Sequence, residues 1–248
     1  MWRAEIHFKE LQVLYRGTAS ETPGIKPNFF VINLKERTDK LREFTSAAAT
    51  HMTRIDGVNL MKSEAPYLKA IRDGFHANVP LKKHGWVGVG LAHMNAWQIV
   101  SGMSNMAVIF EDDCRFKTEW HSNLLKHINA LCAMDPGFDI FLLNVLRPKG
   151  KRVGSNILKI DNLVREKEPC PNVWLSCYAL SPVGAMKLLN LFRNMNADMN
   201  KTQVDRLLIF SLFNSDIRAY CIDTSNLVVT HDETDSDKSK FNLMAAGR

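Results

Sequence analysis

Three consecutive carboxylates, Glu111, Asp112 and Asp113, follow directly on the apolar run Val108-Ile109-Phe110. A short β-branched and aromatic run of that kind predicts a buried strand, so the acids stand at its carboxyl end. In extended chain successive side chains alternate, which sets Glu111 and Asp113 on one face and Asp112 on the other. Carboxylates this close repel, and a divalent ion, a hydrogen-bond network or a raised pKa has to offset the repulsion. Hard oxygen donors favour Mg²⁺ or Mn²⁺, with diphosphate oxygens and waters filling the remaining positions. The competing reading is an acidic turn capping a helix expected to begin near Lys117, where the helix dipole favours negative charge.

Other residues invite chemistry less directly. His231 follows the apolar run Leu227-Val228-Val229-Thr230 and opens an acidic stretch, which predicts a strand end. Asp232, Asp235 and Ser236 beyond it either close over a bound diphosphate or solvate the tail. Gly85, Gly88 and Gly90 lack the Lys-Ser/Thr that completes a phosphate-binding loop, so turn geometry and close backbone packing are their expected roles. His93, Met94 and Trp97 fall at core spacing on one helix and are read as packing residues.

The elements that must position these groups alternate along the chain. Candidate buried strands run from Phe29 to Asn33, Met106 to Phe110, Asp139 to Leu143, Val173 to Leu180 and Ile217 to Ile222. Helix-period segments run from Thr38 to Ala49, Ser63 to Asp73, Gly90 to Ser101, Lys117 to Ala133, Ser181 to Asn194 and Thr202 to Phe213. Thr38 and Ser63 are candidate N-caps, and Ser181 followed by Pro182 is a cap with proline at the first helical position. The alternation predicts an α/β sheet, at least partly parallel, with helices on both faces and ligands gathered outside the carboxyl ends of its strands.

With 46% hydrophobic and 23% charged residues, the composition is that of an ordinary globular protein, neither fibrous nor disordered. Its 248 residues suit one large α/β core, expected over 27–248, preceded by an extension, 1–26, of unclear role. The five cysteines, Cys114, Cys132, Cys170, Cys177 and Cys221, show no metal-binding spacing and read as reduced core thiols. The lone sequon at Asn200 says little against that. No apolar stretch is long enough to span a bilayer, and the first residues lack a signal-peptide pattern. These features predict a cytoplasmic protein, a bacterial-type enzyme or a viral one in host cytosol, over one of the secretory pathway. A net charge of +6 favours anionic ligands. The densest basic stretch, Arg147 to Arg152, contains Pro148 and Gly150 and reads as a solvated loop, so no nucleic-acid partner is expected.

Taken in order, these segments resemble glycosyltransferase family 25, the group of bacterial lipopolysaccharide glycosyltransferases and animal procollagen galactosyltransferases. Phe30 to Phe44 is similar to its opening strand and arginine-rich turn, followed by Arg54-Ile55-Asp56-Gly57. Gly85 to Val100 resembles its glycine-led helix, and Val108 to Asp113 its acidic motif. Cys177 to Leu189, Val204-Asp205 and His231 to Ser239 follow in the family's order. The chain departs from the family's usual pattern at Lys35 and Glu36 (Asp and Arg), Lys40 (Arg) and Ala92 (Ser).

The resemblance implies a nucleotide-diphospho-sugar transferase fold of the A type, a mixed central sheet flanked by helices. It implies an inverting enzyme that uses Mn²⁺ or Mg²⁺ and a UDP-sugar, galactose or glucose, with a glycan, lipid-linked or protein acceptor. Asp113, with Glu111 as ligand or water-mediated partner and His231 as a late ligand, would hold the metal. Asp112 would bond the ribose, while Asn33 and Arg37 just past the first strand would contact the nucleotide, the arginine fork suiting phosphate. Asp56 would accept from the uracil ring or cap the turn at Gly57, and the resemblance leaves a role for His93 open. Asp205 is the expected general base; its rival role closes a capping-box-like pattern from Thr202. Two other functions stand beside this one: a catalytically silent relative that binds, and a metal-dependent phosphoryl-transfer enzyme.

Overall fold

A computed structural model describes residues 26–60, 62–63, 65–72, 84–160, 172, 175–194, 203–212, 215–223 and 228–231. The described residues begin with β1 (Asn28–Asn33), α1 (Thr38–Ala48), β2 (Thr53–Asp56), α2 (Ala65–Arg72) and α3 (His84–Ser101). Next come β3 (Ala107–Glu111), β4 (Cys114–Phe116), α4 (Trp120–Met134), β5 (Ile140–Leu142), β6 (Lys151–Gly154) and β7 (Ile157–Lys159). β8 (Cys177–Leu180), α5 (Pro182–Asn194), α6 (Val204–Leu212), β9 (Ala219–Ile222) and β10 (Val229–His231) follow among the described residues.

Eight strands form one sheet in the order β2-β1-β3-β8-β5-β9-β7-β6, and β10 pairs with β4 in a separate two-stranded ribbon. β1 runs parallel to both β2 and β3, and β5 parallel to β9. β8 enters antiparallel between β3 and β5, so the sheet is mixed, as expected. The apolar runs form strands because both faces of the sheet are covered, and Val108, Ile109, Phe110, Ile140, Phe141 and Leu142 are fully buried.

The two faces divide the core. On one, Phe44 of α1, Phe110 of β3, Phe116 of β4 and Trp120 of α4 make edge-to-face and tilted contacts with centroids 4.5 to 5.9 Å apart. Burial of Phe44 and Phe110 is worth roughly 1.5–3 kcal/mol each. On the other lies α3, with α2, α5 and α6 packed against it. Apolar almost all round, α3 suits that enclosed place.

The predicted helix from Gly90 begins six residues earlier, at His84, so Gly85, Gly88 and Gly90 are helical, not turn residues. Close packing explains Gly88: a Cβ there would stand 2.4 Å from the carbonyl oxygen of Val58. Gly88→Ala is therefore expected to destabilise the protein by about 1–3 kcal/mol, the usual range for overpacking, read as a lowered midpoint of thermal unfolding. An unchanged midpoint would show that α3 can shift freely.

Helix starts divide similarly. Ser181 Oγ accepts the backbone N–H of Gly184 at 2.9 Å, the expected cap ahead of Pro182, and Ser63 Oγ accepts that of Ala65 at 3.2 Å. At α1 the N-cap is Arg37, without a side-chain cap bond, so Thr38 is not the cap. The basic stretch also differs from a plain loop. Lys151 and Arg152 open the edge hairpin β6–β7, Arg152 pairs with Asp223, and Asn172 bonds both main-chain groups of Lys149 at 2.7 Å. Cys114, Cys177 and Cys221 are buried free thiols, Cys132 is half-buried, and Cys170 lies outside the described residues. Burial raises the thiols of Cys114 and Cys177 well above the ordinary range, which leaves them unreactive packing groups.

Candidate active site

The chain leaves β1 toward β2 on one side and reaches β3 on the other, so the carboxyl ends of β1 and β3 flank a topological switch point. In register, Ile32 stands beside Glu111 and Asn33 beside Asp56. Asn33, Asp56 and the acidic run are thereby gathered on one sheet edge.

At that edge the acidic run does not stay extended. β3 ends at Glu111, Asp112 and Asp113 form a turn, and β4 starts at Cys114. The alternation expected of an extended chain therefore stops at Glu111. Nor do the acids cap a helix: β4 intervenes, and α4 starts after Glu119 without a side-chain cap bond. Main-chain and thiol contacts anchor the turn to the residue just before β8: Glu111 N–H donates to Ser176 O at 2.9 Å and Cys114 Sγ–H to the same oxygen at 2.9 Å.

Each carboxylate meets a different neighbour. Asp112 Oδ2 accepts from Asn33 Nδ2 at 2.7 Å, and the same amide group donates to Arg37 O at 3.0 Å. Asn33 thus ties the end of β1, the acidic turn and the start of α1 together. Glu111 Oε1 accepts from His93 Nε2 at 3.1 Å. Asp113 is buried within the turn. Its β4 neighbour Cys114 pairs in register with His231, which brings the main chain of His231 beside the acidic turn. The side chain of His231 and residues 232–248 lie outside the description, Asp232, Asp235 and Ser236 among them.

The rim carries two ion pairs. Arg37 Nε lies 3.2 Å from Asp39 Oδ1, and Asp56, 64% exposed, lies 2.5 Å from the Arg54 guanidinium. Asp56 does not close on its own turn; Gly57 N–H donates to Asn33 O at 2.8 Å. Glu36, where the resembled family usually has Arg, is held below its ordinary pKa chiefly by a hydrogen bond from Lys62, whose Nζ is 3.0 Å away. Asp205 is buried in the first turn of α6 and its Oδ1 accepts the N–H of Arg206 at 2.8 Å. Thr202, the other half of the capping-box pattern, lies outside the described residues.

At this edge the sequence reading missed one buried polar group and took a second for packing while the resemblance left its role open. Asn144, just past β5, donates from Nδ2 to Ser176 Oγ at 2.8 Å, and its Oδ1 has no hydrogen-bond partner among the described residues. His93 is the second: read as packing, it is hydrogen-bonded to Glu111 and to Tyr178. Its spacing of four from Trp97 was the available signal, since it puts two N–H groups on one helix face.

Among the described residues no three His, Cys, Asp or Glu side chains form a ready metal cage. Mg²⁺-type sites for nucleotides take one or two protein carboxylates, with phosphate and water completing the shell. The all-oxygen donors of Glu111 and buried Asp113, set at a strand-end turn, fit that requirement in kind.

The model of "Glycosyltransferase family 25 (LPS biosynthesis protein)" matches residues 26–208. Human procollagen galactosyltransferase 2 is 23% identical over 177 residues, covering 64% of this chain and 27% of the relative, so the match spans about a quarter of that protein's length. Among solved structures, the 4-diphosphocytidyl-2C-methyl-D-erythritol synthase of Anaerococcus prevotii overlaps with a TM-score of 0.40 at 13% identity, covering 89% of this chain and 96% of that one.

Proposed function

Since the chain belongs to glycosyltransferase family 25, we propose that it transfers galactose or glucose from a UDP-sugar to a hydroxyl of a glycan, lipid-linked or protein acceptor, with inversion and metal assistance. The observation that carries this reading is the acidic turn at the β1/β3 switch point, clasped by the Asn33–Asp112 hydrogen bond. Nucleotide ligands collect at such crevices outside the carboxyl ends of strands.

In this reading Asp113, Glu111 and His231 would hold Mn²⁺ or Mg²⁺. When bound, the ion supplies Lewis-acid stabilisation of the charge that grows on the leaving diphosphate. Asp112, fixed by Asn33, accepts from the ribose hydroxyls; Arg37 donates its planar fork to phosphate. Asp56 accepts from the uracil ring nitrogen at the exposed rim. Asp205 takes the proton of the acceptor hydroxyl as it attacks from the face opposite the leaving group.

Binding tests the reading before any acceptor is known. Calorimetry with UDP is expected to give clear binding that tightens when Mn²⁺ is added. Mn²⁺-dependent cleavage of nucleic acid, with no UDP binding, would instead favour phosphoryl transfer, and binding of a UDP-sugar without turnover would favour a silent relative.

His231 lies beyond the matched residues 26–208, and it has its own test. His231→Ala is expected to raise the Mn²⁺ concentration needed for half-maximal activity by about tenfold or more, the scale seen when metal-site partners are lost. An unchanged requirement with a lower unfolding midpoint would make the histidine structural.

A further inference from the structure

Four residues apart on α3, His93 and Trp97 present their ring N–H groups to the same side. That side faces Tyr178 of β8, and all three side chains are buried. Trp97 Nε1–H can only donate, and it donates to the Tyr178 hydroxyl at 2.9 Å. Burial, reinforced by the nearby Glu111 charge, raises the Tyr178 phenol far above its ordinary range, so the hydroxyl keeps its single proton. That proton is directed to His93 Nδ1, 3.0 Å away. The imidazole then carries its own proton on Nε2, which donates to Glu111 Oε1 at 3.1 Å. Because a carboxylate only accepts, the Glu111 end sets the direction of the chain: Nε2 donates, which leaves Nδ1 to accept the Tyr178 proton.

We propose that His93 is a positioning residue, locked as the Nε2–H tautomer by Tyr178 and Trp97, that aims the Glu111 carboxylate at the divalent ion of the acidic turn. The proposal rests on the metal-assisted reading above. Its physical basis is general: a ligand held by a buried partner loses less freedom on binding, and such partners set metal affinity.

Three measurements test it on the full chain. In the metal-free protein, nitrogen NMR of the His93 ring is expected to show the Nε2–H tautomer; the Nδ1–H form or a mixture overturns the lock. Free Mn²⁺ measured by electron paramagnetic resonance is expected to show about tenfold weaker binding in His93→Ala. His93→Gln, whose amide N–H can replace the ring donor, is expected to stay within about threefold. Combining His93→Ala with Glu111→Gln is expected to cost little beyond Glu111→Gln alone, because the two act through one contact. A merely structural histidine would lower the unfolding midpoint in both His93 variants and leave Mn²⁺ affinity as in the parent; that result overturns the proposal alone. A parent protein that binds no Mn²⁺ overturns the metal reading itself and this consequence with it.

Discussion

UDP-sugar turnover by Asp113→Ala is expected to fall to background while the protein keeps its fold. A diphosphate leaving group gathers negative charge as the glycosidic bond breaks, and losing one preorganised electrostatic contact to such charge costs about 10²- to 10³-fold. In the proposed reading Asp113 would be a direct metal ligand, so its removal would take away that contact and weaken the binding of the ion that makes the others. The fold survives because the turn is held by other groups: Glu111 and Cys114 bond Ser176 O, Asn33 bonds Asp112, and β4 pairs with β10. Parent-like circular dichroism with no UDP release is the predicted pair of results. Full activity of the variant, or of the parent in excess chelator, would remove Asp113 and the ion from the mechanism.

The second large effect is expected at Asp205. Inversion needs a base opposite the leaving group, and losing a positioned base costs about 10²- to 10⁴-fold. The rival role is local, for Asp205 Oδ1 accepts the Arg206 N–H at the start of α6. A helix-start contact of that kind is worth only about 1 kcal/mol of stability and little activity. Asp205→Asn separates the two, because the amide oxygen still accepts the Arg206 N–H but takes up no proton. The variant is expected to bind UDP and Mn²⁺ like the parent and to transfer sugar at least about a hundredfold more slowly. Near-normal transfer by the folded variant would return Asp205 to its structural contact.

Particular residues show why some of this was legible in the sequence and some was not. Val108 to Phe110 and Phe29 to Asn33 read as strands because both faces are buried, and apolar runs with β-branched residues fill such strands. The hairpin of β6 and β7 escaped because Lys151, Arg152 and Val153 are exposed at the sheet edge and carry no apolar pattern. β8's reversed direction escaped too, since alternation of elements specifies neighbours in sequence but not which strand inserts between β3 and β5. Likewise, the early start of α3 ran against glycine's poor helix propensity, which the close approach to Val58 overrides. For the site, the acidic run and Asn33 were visible as strand-end polar residues. Their division of labour was not: the turn at Asp112–Asp113 cancels alternation, and the partner that fixes His93, Tyr178, lies 85 residues away in the chain.

The most direct test of the central claim is UDP release from a panel of UDP-sugars with purified protein, in Mn²⁺ and again in excess chelator. Release from UDP-galactose or UDP-glucose is expected to depend on the ion and to be absent in Asp113→Ala. Release from no UDP-sugar in the panel, or release that chelator leaves untouched, would contradict it.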